Sequence, residues 1–550
     1  MKRAWVSGLA VLMLAGCGSA GTGAWDFLRG HISAKSTALE NWTPSEDAVS
    51  RGAMQFAFGD FGGLNSDAMN TVALPWKLTS AALVMHLSPD YVSQDALRKI
   101  MQSYGFYFPQ TIANWPAGAG PAPMPEAAMG LVLGVGERSI PQIELQIANT
   151  GCAACHSAPT YDAQGMPQTD RIWLGAPNAS LDLETYTQDI YRALVAGAAD
   201  RDRLMAATRA LYPQMSEREE KTLRDFVFPR VKDRLDEIAK AGDAGPLPFS
   251  NGHAGVTNGV AALKLQHGLL QGATDVFDRE RGFTSVPHLA DRGFRTMLLW
   301  DGAYAPAGSG NRQRVMTASD ITEEHLSGLA GVTAYFTVPT MGLSDRAAIG
   351  AIPSVREAFA FVSTVRPQPF PGHIDLEMAQ RGAQVFAQNC ASCHGDYRQT
   401  PEGMRLVRFP NVLKSVGTDP VRGEAIDQRL VDSLKASPIH KYLEPENTGH
   451  YAAPPLTGIW QSAPYLHNGS VPSLAALLGL EERPETFMTG GHALDLDKVG
   501  VAYPAGYNPY SRPSQVDTRQ RGMSNNGHTR MFDDLDVAER RNLLEFLKQL

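Results

Sequence analysis

Two short runs carry most of the chemistry this sequence can do: Cys152-Ala-Ala-Cys155-His156 and Cys390-Ala-Ser-Cys393-His394. In a C-x-x-C-H run, two thiols three residues apart can each add to one vinyl group of a porphyrin. The next residue then lies under the iron, where its imidazole becomes the proximal ligand. A tetrahedral zinc could use four cysteines, but these pairs lie far apart and the histidine after each would have no role. A thioredoxin-type motif has no use for that histidine either. The spacing points to two covalently attached c-type haems, bound through Cys152, Cys155, Cys390 and Cys393, with His156 and His394 on the irons.

The sixth ligands then decide between a carrier and an enzyme. An iron bound on both sides shuttles electrons, whereas an open or weakly held sixth position binds O2 or peroxide. For the C-terminal haem the candidates are His528, His467, His440, His450 and Met488. No histidine occurs from Ser157 through Gly252, and that span holds only Met166, Met205 and Met215, the last two suited to helix cores. This gap predicts a five-coordinate or ligand-exchangeable iron at His156. The competing arrangement has His253 or His267 folding back over the porphyrin, which would make the chain a pure electron-transfer cytochrome serving a partner dehydrogenase.

The fifth cysteine, Cys17, ends Leu14-Ala15-Gly16-Cys17, after a basic start (Lys2, Arg3) and an apolar run too short to span a bilayer. This reads as a secretory signal over residues 1–16, and small residues before cysteine resemble a bacterial lipobox, so Cys17 is expected to be lipidated. Gly18-Ser19, without Asp, predicts sorting to the outer membrane, with the protein on its periplasmic side or surface. The lipid is then the only membrane attachment. Export agrees with haem attachment outside the cytoplasm. Ordinary signal cleavage, with loss of Cys17, is the alternative. A net charge of −8 argues against a nucleic-acid partner. The 52 glycines and 36 prolines suit long loops wrapped around cofactors more than a regular bundle.

The elements that must position these groups read as mainly helical. Ser93 to Leu97, then Ile100, Met101 and Tyr104, has helical apolar spacing, and Phe106, Tyr107 and Phe108 read as core. Leu183, Tyr186, Ile190 and Leu194 share one helical face, and Ser216-x-x-Glu219 reads as a capping box. Met378, Gly382, Val385 and Phe386 line one face just before Cys390. Asp536-x-x-Glu539 opens a last helix with Leu543, Phe546, Leu547 and Leu550 along one side. A Gly/Phe helix before the motif and an amphipathic helix at the end resemble the crossed pair of cytochrome c domains, where glycine lets two backbones approach closely. The expected order is a tether and N-terminal helical region (17–130), a first cytochrome c-like haem domain (131–250) and an intervening region covering the N-terminal haem (251–370). A C-terminal cytochrome c domain (371–550) follows. Arg292 and Arg295 in the intervening region could meet haem propionates two-pronged or form ordinary surface ion pairs.

The run Pro455-Leu-Thr-Gly458-Ile-Trp460-Gln-Ser-Ala463-Pro464-Tyr465-Leu466-His467-Asn468-Gly469-Ser470-Val471 resembles a segment shared by bacterial di-haem cytochrome c peroxidases and their relatives. Gly417-Thr-Asp-Pro420-Val-Arg422, Leu299-Trp-Asp-Gly302 and Ser524-Asn-Asn-Gly527-His528 are most similar to the di-haem rubber oxygenase branch. The resemblance covers roughly residues 90–550. It implies an oxidoreductase that activates O2 or H2O2 at the N-terminal haem while the C-terminal haem stores or relays electrons. An organic substrate and a small redox protein as electron donor are the partners it implies. It implies His528 as the distal ligand of the C-terminal haem, with His467 as runner-up or as a propionate partner. It places Tyr304 where the rubber oxygenases keep a Phe near the N-terminal haem. The tryptophan thought to sit between their haems has no evident match, since the region here reads His288-Leu289; Trp300 could stand in. An anchored maturation factor acting on another protein is a third class with related chemistry.

Overall fold

The computed structural model describes residues 31–67, 73–138, 142–241, 246–270 and 275–550. The expected signal and the lipidation site at Cys17 lie outside the described residues. Capping and apolar spacing put several helices where the sequence predicts them. Ser93 Oγ accepts from the Ala96 N–H at 3.1 Å and opens a helix over Gln94–Ser103. Phe106 and Tyr107 are buried beside it. Asp536 and Glu539 form a reciprocal capping box at the head of the last helix.

The chain is mixed α/β, at 42% helix and 16% strand, which corrects the expectation of a mainly α protein. The loop-like segments pair into two- and three-stranded sheets, some joining distant parts of the chain, because buried backbone N–H and C=O groups need partners when helix does not supply them. Three large apolar cores, with smaller clusters beside them, follow among the described residues. The first joins helices α1 (Ala48–Phe58), α6 (Glu323–Thr337) and α7 (Asp345–Val362). The second packs α2 (Trp76–Leu87) and α4 (Leu183–Ala198) on an antiparallel hairpin, β1 (Leu131–Arg138) and β2 (Ile143–Thr150). The third joins α8 (Leu376–Asn389) to α10 (Val537–Leu547).

The second haem motif sits at the end of the crossed helices α8 and α10. Gly382 marks the crossing: a Cβ there would lie 1.9 Å from the Asn542 carbonyl oxygen, so no larger residue fits without moving a helix. Cys390 ends α8, and the short helix α9 (Ala391–His394) holds the rest of the motif. The first motif is supported differently. It follows strand β2 rather than a helix, with Cys152–Cys155 forming the one-turn helix α3, and leads into the hairpin β3 (Ser157–Tyr161) and β4 (Pro167–Leu174). Ile143, Leu145 and Ile147 alternate into the core along β2.

The capping box expected at Ser216 forms only in half. Ser216 Oγ accepts from the Glu219 N–H, but the Glu219 carboxylate turns inward to take the Gln146 N–H and an ion pair with Lys77. Glu219 is 2% exposed, and a buried carboxylate needs that cation and donor more than a cap does. Among the described residues, no helix is long and apolar enough to cross a membrane.

Candidate haem centres

The two motifs occupy unlike surroundings. At the C-terminal one, helix α9 aims the His394 ring inward, and its Nδ1 is fixed by the Pro454 carbonyl at 2.8 Å. That bond leaves Nε2 as the nitrogen free to bind a metal. The His528 ring lies 6.2 Å from the His394 ring, centroid to centroid, with 30° between the ring planes. Two imidazoles on opposite sides of one metal, each with a bond of about 2 Å, have roughly this separation. The His528 Nδ1 is buried without a partner. Burial, with His394 and Arg483 nearby, pushes its pKa down to about 3, so the ring is neutral and able to ligate.

His528 also has a left-handed backbone, φ 66°, which a non-glycine residue adopts at a cost of about 1–2 kcal/mol. The loop holding it is pinned by Arg483. Its guanidinium donates to the carbonyls of Ala476 (3.3 Å), Leu477 (2.8 Å), Gly527 (2.8 Å) and Asn525. Sequence reasoning passed over Arg483, because its partners are all backbone groups and leave no side-chain pattern.

The other candidate ligands lie elsewhere. His467 is buried against Tyr451, rings 4.5 Å apart, with its Nε2 3.3 Å from the phenol oxygen. Burial, reinforced by Arg422, pushes its pKa down to about 3. His440 bonds the Leu443 carbonyl, His450 is exposed, and Met488 is 41% exposed on a strand edge.

At the first motif, Cys152, Cys155 and His156 line a mostly apolar cavity of about 380 Å³, within the roughly 300–1,000 Å³ of a small-molecule or cofactor site. Phe56 and Phe61 beside helix α1, Phe336 of α6 and Phe359 of α7 form one wall, and Leu289, Leu298, Leu299 and Trp300 another. Burial pushes the Cys152 thiol up to about 12 and the Cys155 thiol to about 11. It pushes His156 down to about 3, with Arg292 adding to the effect. The Pro287 carbonyl offers His156 the role that Pro454 plays for His394, although the His156 Nδ1 makes no bond of standard geometry.

The cavity also holds buried cations. Arg292 donates to the His288 carbonyl, and Arg295 to those of Met297 and Leu299. Neither has a carboxylate partner among the described residues. Burial lowers their pKa values to about 10 and about 9, the latter helped by Arg292, so both stay charged at neutral pH. A third, Arg422, pairs with the buried Asp301 at 3.2 Å, and its Nε and Nη1 make no hydrogen bond. Buried unpaired charge is costly, and a dianionic porphyrin edge would compensate it. Two thiols, an imidazole, an apolar lining and two guanidiniums without a carboxylate partner fit a c-type haem.

His156 is the only histidine in that lining, and Met341 the only methionine. His253 is occupied by the Ala254 and Asn468 carbonyls, and His267 by Ser433 and Tyr335. Trp300 lines the cavity, its indole N–H donating to the Ser285 carbonyl at 2.9 Å. Tyr304 does not. It is fully buried behind the wall formed by its neighbours, on a strand paired with Leu443–Pro445. His288 is buried beside the first motif. His156 and Arg292 act on it from one side, and on the other its ring fills the space where a Cβ of Gly458 would be, 2.4 Å away.

A family model described as RoxA-like, cytochrome c-like matches residues 449–488, a stretch that includes Tyr451, Trp460 and His467. A cytochrome c-like domain implies a c-type haem and is compatible with a haem oxidoreductase. Two proteins of Sinorhizobium fredii (strain NBRC 101917 / NGR234) are similar. The uncharacterized protein y4iJ is 28% identical over 34% of this chain and 41% of its own length. The uncharacterized protein y4iM is 30% identical over 31% of this chain and 45% of its own. The chain spans less than half the length of either relative.

Proposed function

We propose that this chain is an exported di-haem c-type oxidoreductase that reacts with O2 or H2O2 at His156 and passes electrons through the centre at His394. The observation carrying this reading is the contrast between the two sites. His394 faces a second, unpartnered imidazole, and His156 faces an apolar cavity with no second histidine. A haem bound at His156 supplies one-electron chemistry and an iron position open to small ligands.

The residues around it define the rest. Arg292 and Arg295 would hold the porphyrin edge by charge. The phenylalanine wall excludes water, which strengthens every electrostatic contact inside. An apolar organic substrate would meet the same wall. Asp301 keeps Arg422 in place, and His288 packs between His156 and Gly458. A small redox protein would deliver electrons, and a lipid on Cys17 would hold the molecule at the outer membrane.

The competing reading, a pure electron carrier, rests on Met341, whose thioether could occupy the sixth position. CO binding separates the two. Reduced protein is expected to take up one CO per molecule, at the His156 centre, with Met341→Leu leaving the uptake unchanged. Two low-spin haems that refuse CO until Met341 is replaced would establish the carrier instead.

A further inference from the structure

A row of side chains leads away from the His156 cavity and is used by nothing described above. Tyr304 lies behind the wall residues Leu298 and Leu299, fully buried, its hydroxyl without a partner. Its ring meets that of Tyr335 edge-on, centroids 5.5 Å apart at 87°. Tyr335, on helix α6 between the lining residues Thr333 and Phe336, is also fully buried. Its hydroxyl lies 3.3 Å from Nε2 of His267. His267 follows helix α5 (Gly259–Gln266), and its Nδ1 bonds Ser433 Oγ at 2.8 Å. Its Nε2 lies 3.6 Å from the Asp345 carboxylate, which Ser437 also contacts. His267 and Asp345 are 10% and 18% exposed at the side chain, so the row ends near solvent.

Chemistry distinguishes the two tyrosines. A phenol that gives up an electron must also give up its proton, and burial raises both phenol pKa values, so neither proton leaves unaided. Tyr304 has no acceptor. Tyr335 has one, because a His267 ring that donates from Nδ1 to Ser433 presents a lone pair at Nε2. The imidazolium formed there would be paired by Asp345.

We propose that Tyr335, with His267 as its proton acceptor, is a one-electron donor to the His156 centre, reached through Tyr304, and that the radical comes to rest on Tyr335. The relay rests on the functional reading above, with hydrogen peroxide as the oxidant. Peroxide takes two electrons from the loaded protein and, with two protons, leaves as two waters. One of those electrons comes from the Tyr335 phenol and the other from the centre at His394. The phenol O–H bond breaks, the proton moves to His267 Nε2, and a neutral tyrosyl radical remains. The arrangement draws oxidising power out of the cavity and toward Asp345, away from the porphyrin and its thioether bonds.

The test uses the full-length protein with its haems, mixed with hydrogen peroxide, frozen rapidly and examined by EPR. Ring-deuterated tyrosine is incorporated to identify the radical. Wild type should show a radical signal that narrows on deuteration. Tyr335→Phe, which keeps the ring and removes only the hydroxyl, should lose it while haem content and far-UV dichroism are unchanged. His267→Ala should lower its yield, and Tyr304→Phe should delay its appearance without reducing its final amount. Tyr186→Phe, a buried tyrosine of the second core, should leave it intact. A full signal in Tyr335→Phe, or a haem spectrum that responds to peroxide with no tyrosine radical, overturns the relay and spares the functional reading. A haem spectrum that does not respond to peroxide overturns both.

Discussion

Arg483 touches no candidate ligand, yet it should control whether His528 stays on the C-terminal iron. Its four carbonyl contacts tie residues 476–477 to residues 525–527, immediately before His528. A hydrogen bond from a charged donor is worth about 1.5–3 kcal/mol. The guanidinium is only partly buried and such contacts do not add, so removing it should release about 2–3 kcal/mol of loop stability. The left-handed backbone at His528 favours the released form as well. At 1.4 kcal/mol per decade, the population with His528 off the metal should rise by roughly 30- to 150-fold in Arg483→Ala. The apparent affinity of a competing ligand scales with that population. Cyanide titration of the oxidised protein, followed at the C-terminal haem band, should therefore tighten by the same factor. Arg483→Lys, which keeps the charge but not the fork, should fall between. An Arg483→Ala protein that binds cyanide at that haem as wild type does would refute the reasoning, because the loop would then need no clamp.

The remaining expectations are more direct. Replacing both Cys152 and Cys155 with Ala should remove one covalent haem and leave the other, counted as pyridine haemochrome, since the two motifs rest on different cores. His528→Ala should turn a low-spin EPR signal at the C-terminal haem high-spin, whereas His467→Ala should not; the opposite pattern would exchange their roles. Burial depresses the pKa values of His288 and His467 to about 3 and of His492 to about 4. A depressed histidine contributes stability that is present above its unfolded value near 6.5 and lost as the pH falls toward the folded one. Each should therefore remove about 1.4 kcal/mol per pH unit across that window. Denaturant midpoints measured from pH 7 down to pH 4.5 should fall steadily, and a flat profile would contradict the burial of these rings.

The C-terminal half was the more legible in sequence because its signals are local. Gly382 with Val385 and Phe386 announces a helix that crosses another closely, and Asp536 with Glu539 announces the partner's start. The hairpin before Cys152 was equally local but went unread. Ile143, Leu145 and Ile147 alternate with period two, a pattern that the reading of the chain as mainly helical left out. What could not be read was any contact between distant segments. Arg483 works through backbone carbonyls, Glu219 is buried by Lys77 from far upstream, and Tyr304 is separated from the cavity by its own neighbours. The histidine-free span after His156 was informative for a different reason: it restricts what can fold over the cavity, whatever the fold.

The two centres thus differ in a way that one chain has to maintain. At His394, a second imidazole is held in a strained backbone by a clamp, and both rings are kept neutral by burial. At His156, the side chains with free electron pairs are turned to other partners. His253 is committed to carbonyls, His267 to Tyr335 and Ser433, and the cations to the cavity rim. Apolar residues from three helices occupy the remaining wall. That division is costly to fold, since it leaves Arg292, Arg295 and the Arg422 nitrogens buried with few partners. A porphyrin bound through Cys152, Cys155 and His156 would fill that cavity and bring its carboxylates to these guanidiniums, and that pairing is what would offset their burial.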